Sequence, residues 1–281
     1  MIKSLFTMAY PAGNPSSDNR PLAIITGATS GIGAAFARRL AADGHGVVLH
    51  GRRKERLDAL AEELRRGYGV SVEVLIADLA DEQGIQAVED RARRAENLEV
   101  LVNNAGFGIH GLFHEVSAEA HEEMIAVHVR ASVRLAHAAL PAMLTRGRGA
   151  IINVSSVAAF MPSAGSVNYG ATKAYLTAFS EGLHMELKGT GVRVQALCPG
   201  FTRTEFHGRR GIDTSRIPGG LWMSAESVVD ESLKCLKRGR VICVPGRKYR
   251  FFVWLAKWLP QPWFRKLRSA RMKRTRSRSQ N

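Results

Sequence analysis

Residues 22–33 read LAIITGATSGIG, an apolar run, then a glycine-rich turn, then the opening of a helical pattern. Leu22–Thr26 has the length of a buried strand, and Ile32–Ala42 carries apolar residues at helical spacing up to a stop near Gly44. Gly27, Gly31 and Gly33 let the backbone of this turn approach a pyrophosphate without Cβ clashes, with Thr29 and Ser30 between them. The helix entered at Ile32 offers unpaired N–H groups and the positive end of its dipole to an anion. A glycine trio alone is equally a tight turn. Its place directly between a strand and a helix favours the phosphate reading.

The same unit recurs along the chain. Strands are predicted at Gly46–His50, Val72–Ala77, Leu98–Val102, Ala150–Val154, Val192–Leu197 and Arg240–Val244. Helices are predicted at Lys54–Arg66, Ile85–Ala95, Ala120–Leu144, Asn168–Lys188 and Glu226–Lys237. Alternating short apolar runs and longer helical segments imply an α/β fold, a doubly wound parallel sheet with helices on both faces. The 281 residues, 45% of them hydrophobic, are enough for one large core and exclude wholesale disorder. No stretch approaches 18 uninterrupted apolar residues, so no membrane-spanning helix is expected. Residues 1–20 contain Asn14-Pro15-Ser16-Ser17-Asp18-Asn19 and no run of signal-peptide type; they read as a loose extension, with Met8 a second possible start. Cys198, Cys235 and Cys243 match no metal or disulfide spacing and read as reduced thiols in a cytoplasmic setting.

The net charge of +15 is unevenly placed. Of the 40 Lys and Arg, 16 lie after Glu231, where there is no Asp or Glu, leaving 24 basic against 25 acidic residues before that point. The body is neutral and the end of the chain cationic.

Four further motifs follow the glycine turn in order: Asn103-Asn104-Ala105-Gly106 after the fourth strand, Ser156 after the fifth, Tyr169-Gly170-Ala171-Thr172-Lys173, and Pro199-Gly200 with Thr204 beyond the sixth strand. With Ser156 standing 13 residues before Tyr169, this series resembles the short-chain dehydrogenase/reductase family over residues 22 to about 245. The resemblance implies a Rossmann-like single domain at 21–246, NADP-binding and catalytic, followed by a basic, aromatic extension at 247–281. It also implies catalysis by Ser156, Tyr169 and Lys173. The implied cofactor contacts are Gly27, Thr29, Ser30, Gly31, Ile32, Gly33, Arg52, Asp78, Asn104, Ala105, Gly106, Tyr169, Lys173, Pro199, Gly200 and Thr204.

The choice between nicotinamides can be argued from charge. Sites of this shape that take NAD end the second strand with an acid for the ribose 2′-hydroxyl. Here Gly51-Arg52-Arg53 stands in its place, and Arg52, unless it is only a solvated loop cation, can pair with the 2′-phosphate of NADP(H). Asp78 either lies beside the adenine, as the resemblance implies, or caps the helix that starts near Asp81.

Reduction of a ketone leaves an alkoxide that needs a proton. Tyr169 can supply it if a cation lowers its phenol from about 10, and Lys173, four residues on, shares its helix face. Ser156 would hold the substrate oxygen. Ser155 is the rival, with its side chain expected on the other face of the strand. The family commonly places in its long central helix an asparagine that supports a relay water. Counting back from Leu140-Pro141 brings His128 to that position, or the alignment slips by a turn. His110 and His114 stand four apart with no third ligand evident, so no metal is expected.

Phe206, Ile217, Leu221, Trp222 and Met223 form either an apolar lid or core packing. Three of the four tryptophans fall between Trp254 and Trp263, interleaved with cations, which suits an anionic membrane surface; edge packing, a dimer contact or nucleic acid are the alternatives. The pattern resembles the 3-oxoacyl and keto-lipid reductase subgroup. The expectation is NADPH-dependent reduction of a carbonyl in a small, apolar substrate by a homo-oligomer, cytoplasmic or peripheral at a membrane. Rival readings are a sterol or sugar alcohol dehydrogenase of the same family and an NADP-binding regulatory protein whose tail binds nucleic acid or membrane.

Overall fold

The computed structural model describes residues 20–109, 111–205 and 217–258. Seven strands run parallel in the order β3-β2-β1-β4-β5-β6-β7: β1 (Leu22–Ile25), β2 (Gly46–Gly51), β3 (Val72–Ile76), β4 (Leu98–Asn103), β5 (Gly149–Val154), β6 (Val192–Leu197) and β7 (Ile242–Cys243). The connecting helices are α1 (Gly31–Ala42), α2 (Lys54–Tyr68), α3 (Glu82–Arg93), α4 (Ala118–Ile125), α5 (Ala131–Thr145), α6 (Val167–Glu186), α7 (Ala225–Lys237) and α8 (Arg247–Trp258). This is the doubly wound α/β architecture that the alternating pattern predicts. Strand order reverses between β1 and β4, and in sheets of this kind the crevice past the carboxyl ends at that point is where ligands bind.

Neighbouring residues of β1, β2, β4 and β5 point to opposite faces and bury on both, which is why these strands read as largely continuous apolar runs, whereas the edge strand β3 is only partly covered. On one face Ile25, Leu49 and Ile152 meet Phe36, Leu57 and Leu233 from α1, α2 and α7. On the other, Ile24, Leu101 and Ile151 meet Ile85, Leu135 and Met143 from α3 and α5. Phe36 has no exposed surface, and truncating a ring of that burial to alanine typically costs about 3–5 kcal/mol.

Two elements depart from the sequence pattern. The single helix expected over 120–144 is broken by a five-residue π turn, Ala126–Arg130, between α4 and α5. The last strand is two residues long, because only Ile242 and Cys243 find partners on β6. The stretch expected as an extension, 247–281, opens with α8. Tyr249, Val253 and Ala256 of that helix are buried, and the first two pack with Ala196, Cys198, Val157 and Phe160. Residues 1–19 and 259–281, where the loose extension and the basic run were expected, lie outside the described residues, as do His110 and Phe206.

Candidate active site

The glycine turn after β1 is built by sterics. Gly27 and Gly31 have φ of +67° and +58°, a left-handed conformation that L side chains rarely adopt. A Cβ on Gly33 would stand 2.3 Å from the Gly27 carbonyl oxygen and 2.5 Å from Asn104 Nδ2. Ser30 caps α1 in an extended conformation with no side-chain hydrogen bond to the first turn. The helix thus presents its N-terminal dipole to the crevice, a fit for a dinucleotide pyrophosphate. Ile32 packs inward on the core. Thr204 closes over the turn: a Cβ on Gly31 would touch its Cγ2 at 2.7 Å.

Across the crevice, the Thr26 hydroxyl accepts from the N–H groups of Asn104 and Ala105 at 2.9 and 3.0 Å. Asn104 Nδ2 donates to the carbonyls of Thr26 and Gly27. The Asn-Asn-Ala-Gly segment is thereby stitched to the glycine turn. Gly106 leaves room for two side chains, since a Cβ there would lie 2.8 Å from His128 Nε2 and 3.5 Å from Lys173 Nζ.

The two arginines after β2 separate. Arg52 is largely exposed and donates to Asp78 at 2.9 Å. Arg53 turns inward and donates to the Thr29 and Ser30 hydroxyls at 2.7 and 3.2 Å and to Glu205 at 3.0 Å. Glu205 also accepts from Arg56; that bond and the one from Arg53 hold its carboxyl down at about 2. Adjacent residues of an extended segment point in opposite directions, and the sequence does not say which faces the turn. Arg53 is therefore the guanidinium on the glycine turn, while Arg52, the residue expected at the ribose 2′-phosphate, stays near the surface paired with Asp78. Asp78 accepts from the Ala80 N–H at 3.0 Å, while the cap position of α3 belongs to Asp81, so the helix-cap alternative for Asp78 fails. Burial pushes the Asp78 carboxyl up, and the bonds from Ala80 and Arg52 outweigh it to leave the net shift downward.

Ser156, Tyr169 and Lys173 come together at the mouth of β5. Ser156 opens a short 3-10 turn, Val157–Phe160, and its hydroxyl accepts from the Ala158 N–H at 3.1 Å. Its side chain lies close enough to the Tyr169 hydroxyl to favour the ionised phenol. Ser155, its rival, points away, donating to the Lys173 carbonyl at 2.7 Å within the core. The Lys173 ammonium lies 5.7 Å from the centroid of the Tyr169 ring and donates to the Val154 carbonyl at 2.9 Å. Burial raises the Tyr169 phenol above its ordinary range and only the neighbouring Ser156 side chain opposes it. The lowering by Lys173 expected from the i,i+4 spacing is not what governs the phenol, because the ammonium is aimed at a backbone carbonyl. Burial also lowers Lys173 itself, to about 8, against a small opposing effect from Cys198.

Below this centre the Pro199 carbonyl accepts from the Val157 N–H at 3.1 Å. Gly200 is a glycine because the Tyr249 ring occupies its side-chain space: a Cβ would come within 2.1 Å. The Tyr249 hydroxyl accepts from the Phe201 N–H at 2.9 Å and donates to the Leu221 carbonyl at 2.6 Å, joining both ends of the 201–223 segment to α8. Leu221 and Met223 pack on this cluster, and Trp222 lies 5.7 Å from the Phe201 ring. Sequence reasoning missed Arg53, Glu205, Thr172 and Tyr249; only the basic pair after Gly51 carried a local signal.

Comparison with known proteins bears on this geometry. Residues 21–214 match the family model described as short chain dehydrogenase. Sulfoacetaldehyde reductase 2 of Chromohalobacter salexigens is 43% identical over 188 residues, covering 66% of this chain and 74% of the relative. The very-long-chain 3-oxoacyl-CoA reductase of Anas platyrhynchos is 38% identical over 191 residues, 66% of this chain and 60% of that protein. A short-chain dehydrogenase from Sphingobium yanoikuyae, solved in complex with NADPH, superposes with a TM-score of 0.78 at 41% identity, covering 86% of this chain and 97% of that one. With the model spanning well over half of its length and relatives this similar, the chain belongs to the short chain dehydrogenase family and is an NAD(P)-dependent oxidoreductase.

Proposed function

We propose that this oxidoreductase uses NADP(H) to reduce the ketone of an apolar, lipid-like molecule, a 3-oxoacyl compound being the favoured class, at a membrane surface. The observation that carries the chemistry is the convergence of Ser156, Tyr169 and the buried Lys173, whose ammonium lies 5.7 Å from the Tyr169 ring. When bound, the reduced nicotinamide supplies the hydride. The Ser156 hydroxyl holds the substrate oxygen, and Tyr169 gives its phenolic proton to the alkoxide as it forms. Lys173, charged below about pH 8, stabilises the phenolate left behind. Both cofactor and substrate oxygen are then oriented by groups fixed on β5 and α6.

NADPH over NADH is supported by the absence of an acid in Gly51-Arg52-Arg53, by Arg53 on the Thr29 and Ser30 hydroxyls, and by the NADPH in the related Sphingobium structure. An apolar substrate is supported by Phe201, Leu221, Trp222 and Met223 along the segment tied to α8, and by the name of the Anas relative. The membrane part is supported by the outer face of α8. Phe251, Trp254 and Trp258 recur at helical spacing, are 57%, 55% and 75% exposed, and lie ring against ring beside exposed Arg247, Lys248 and Arg250. Aromatic rings next to cations suit the boundary of an anionic bilayer. No described helix is long and apolar enough to cross a membrane.

A ketone panel running from small diketones to long 3-oxoacyl thioesters, followed by the loss of NADPH absorbance, tests the reading. Turnover that rises with acyl length supports it; NADH preferred over NADPH, or no ketone reduced, refutes it. Flotation of the chain with anionic vesicles, set against the same chain lacking 247–281, tests the membrane part.

A further inference from the structure

Residues 126–130 read AVHVR within apolar spacing that predicts unbroken helix. They form the π turn between α4 and α5, and His128 at its centre has no exposed surface. A π turn inserts one residue into the helical ladder and re-aims the side chains it carries. Here the imidazole points between two parts of the active site. The Phe107 N–H, in the loop after β4, donates to Nε2 at 3.0 Å. Nδ1 lies 2.9 Å from the Thr172 hydroxyl on α6, and that hydroxyl donates to the Tyr169 carbonyl at 2.9 Å. A backbone N–H can only donate, so Nε2 is unprotonated and the ring proton sits on Nδ1. Donation then runs one way, from His128 Nδ1–H to Thr172 and from Thr172 to the backbone of Tyr169.

An imidazolium cannot stand here without loss. It would turn a second N–H toward that of Phe107 and add a charge near the Lys173 ammonium; of the groups facing it from α6, Lys173 and Tyr169 are the titratable ones. Burial first, then Lys173, hold His128 well below the ordinary histidine range. The backbone of the turn is fastened too. Ser132 donates to the His128 carbonyl at 2.7 Å, and Asn103 Nδ2 donates to the Ser132 carbonyl and to Asn153 Oδ1. Asn153 in turn donates to Ser180 on α6 at 2.9 Å. The histidine thus ends a buried polar ladder from β4 across β5 to α6, and low dielectric makes each rung count.

Resting on the reductase reading, we infer that His128 and Thr172 are positioning residues: a neutral imidazole locks the Gly106–Phe107 loop to the turn of α6 bearing Tyr169 and Lys173, and relays no proton. Fixed protein partners take both ring nitrogens, so the ring has nothing left to offer the relay water that the family's asparagine supports.

Three variants test this with NADPH and ethyl acetoacetate as the probe ketone. His128→Gln keeps an acceptor and a donor on a group that does not titrate, His128→Leu keeps neither, and Thr172→Val removes the middle bond. His128→Leu and Thr172→Val should each lose about 10²-fold in kcat, the scale of a displaced catalytic group, with a smaller rise in KM for NADPH. His128→Gln should recover most of that loss with the wild-type pH profile. If His128→Gln is as slow as His128→Leu and a limb of the profile is gone, the histidine is a relay; if His128→Leu and Thr172→Val both match wild type, there is no positioning role. Should His128→Leu not fold, Thr172→Val decides alone. Nitrogen NMR of the labelled imidazole reads the same claim without turnover: one protonated and one bare nitrogen, unchanged from about pH 6 to about pH 9. A ring that titrates in that window overturns the inference, even if no ketone is reduced and the functional reading fails separately.

Discussion

Tyr169 and Tyr249 make an instructive pair. Burial raises both phenols. Tyr249 is sealed in, 6% exposed, and its hydroxyl is held by the backbone on both sides, from Phe201 and to Leu221. Tyr169 is half-buried and its hydroxyl meets the Ser156 side chain. A side-chain hydroxyl can turn toward a substrate oxygen, whereas a backbone amide and carbonyl are fixed by the chain. Under the proposed function the same functional group is a reagent in one place and a fastener in the other, and the partner decides which.

The largest effect that would break this comparison comes from removing one oxygen. Tyr169→Phe should cut turnover by about 10²–10⁴-fold while NADPH binding, followed by fluorescence titration, persists. Comparable retained activity would make Tyr169 a fastener as well. Next is pH. The Lys173 ammonium, lowered by burial to about 8, is present below that value and lost as pH rises through it. Turnover should therefore fall on the alkaline side of about pH 8, by up to tenfold per pH unit, and a profile flat to pH 10 would detach Lys173 from the chemistry.

On the other side of the comparison, Tyr249→Phe should cost about 1 kcal/mol of stability by denaturant unfolding, the net scale of a lost hydrogen bond. Its effect on kcat should stay far below that of Tyr169→Phe. The smallest stability change is expected on the outer face of α8. Replacing Phe251, Trp254 and Trp258 together by serine should leave stability within about 0.5 kcal/mol per site, as for exposed positions, yet abolish vesicle flotation. Flotation that survives would place membrane contact elsewhere or nowhere.

Much of the fold was legible because its signals are local. The strand pattern works over four to six residues at a time, and Gly27 and Gly31 are needed by their own φ angles. Tyr169 and Lys173 share a face by helical geometry alone. What stayed hidden was decided at a distance. Arg53 reaches Glu205 across 152 positions, and His128 reaches Thr172 across 44. The expected uninterrupted helix over 120–144 failed at the π turn, where the apolar spacing of Ala126 and Val127 still reads as helix.

The sequence by itself determined the order of β-α units and the tight glycine turn, because steric limits and helix periodicity act within a few residues, and its motif series, by family resemblance, singled out Ser156, Tyr169 and Lys173. Only the tertiary structure decided which arginine faces the turn, where the Lys173 ammonium points, that His128 is tied off at both nitrogens, and which face of α8 is left bare. Those outcomes depend on the packing of segments far apart in the chain, and a side chain's partner, more than its type, sets its charge state and its task.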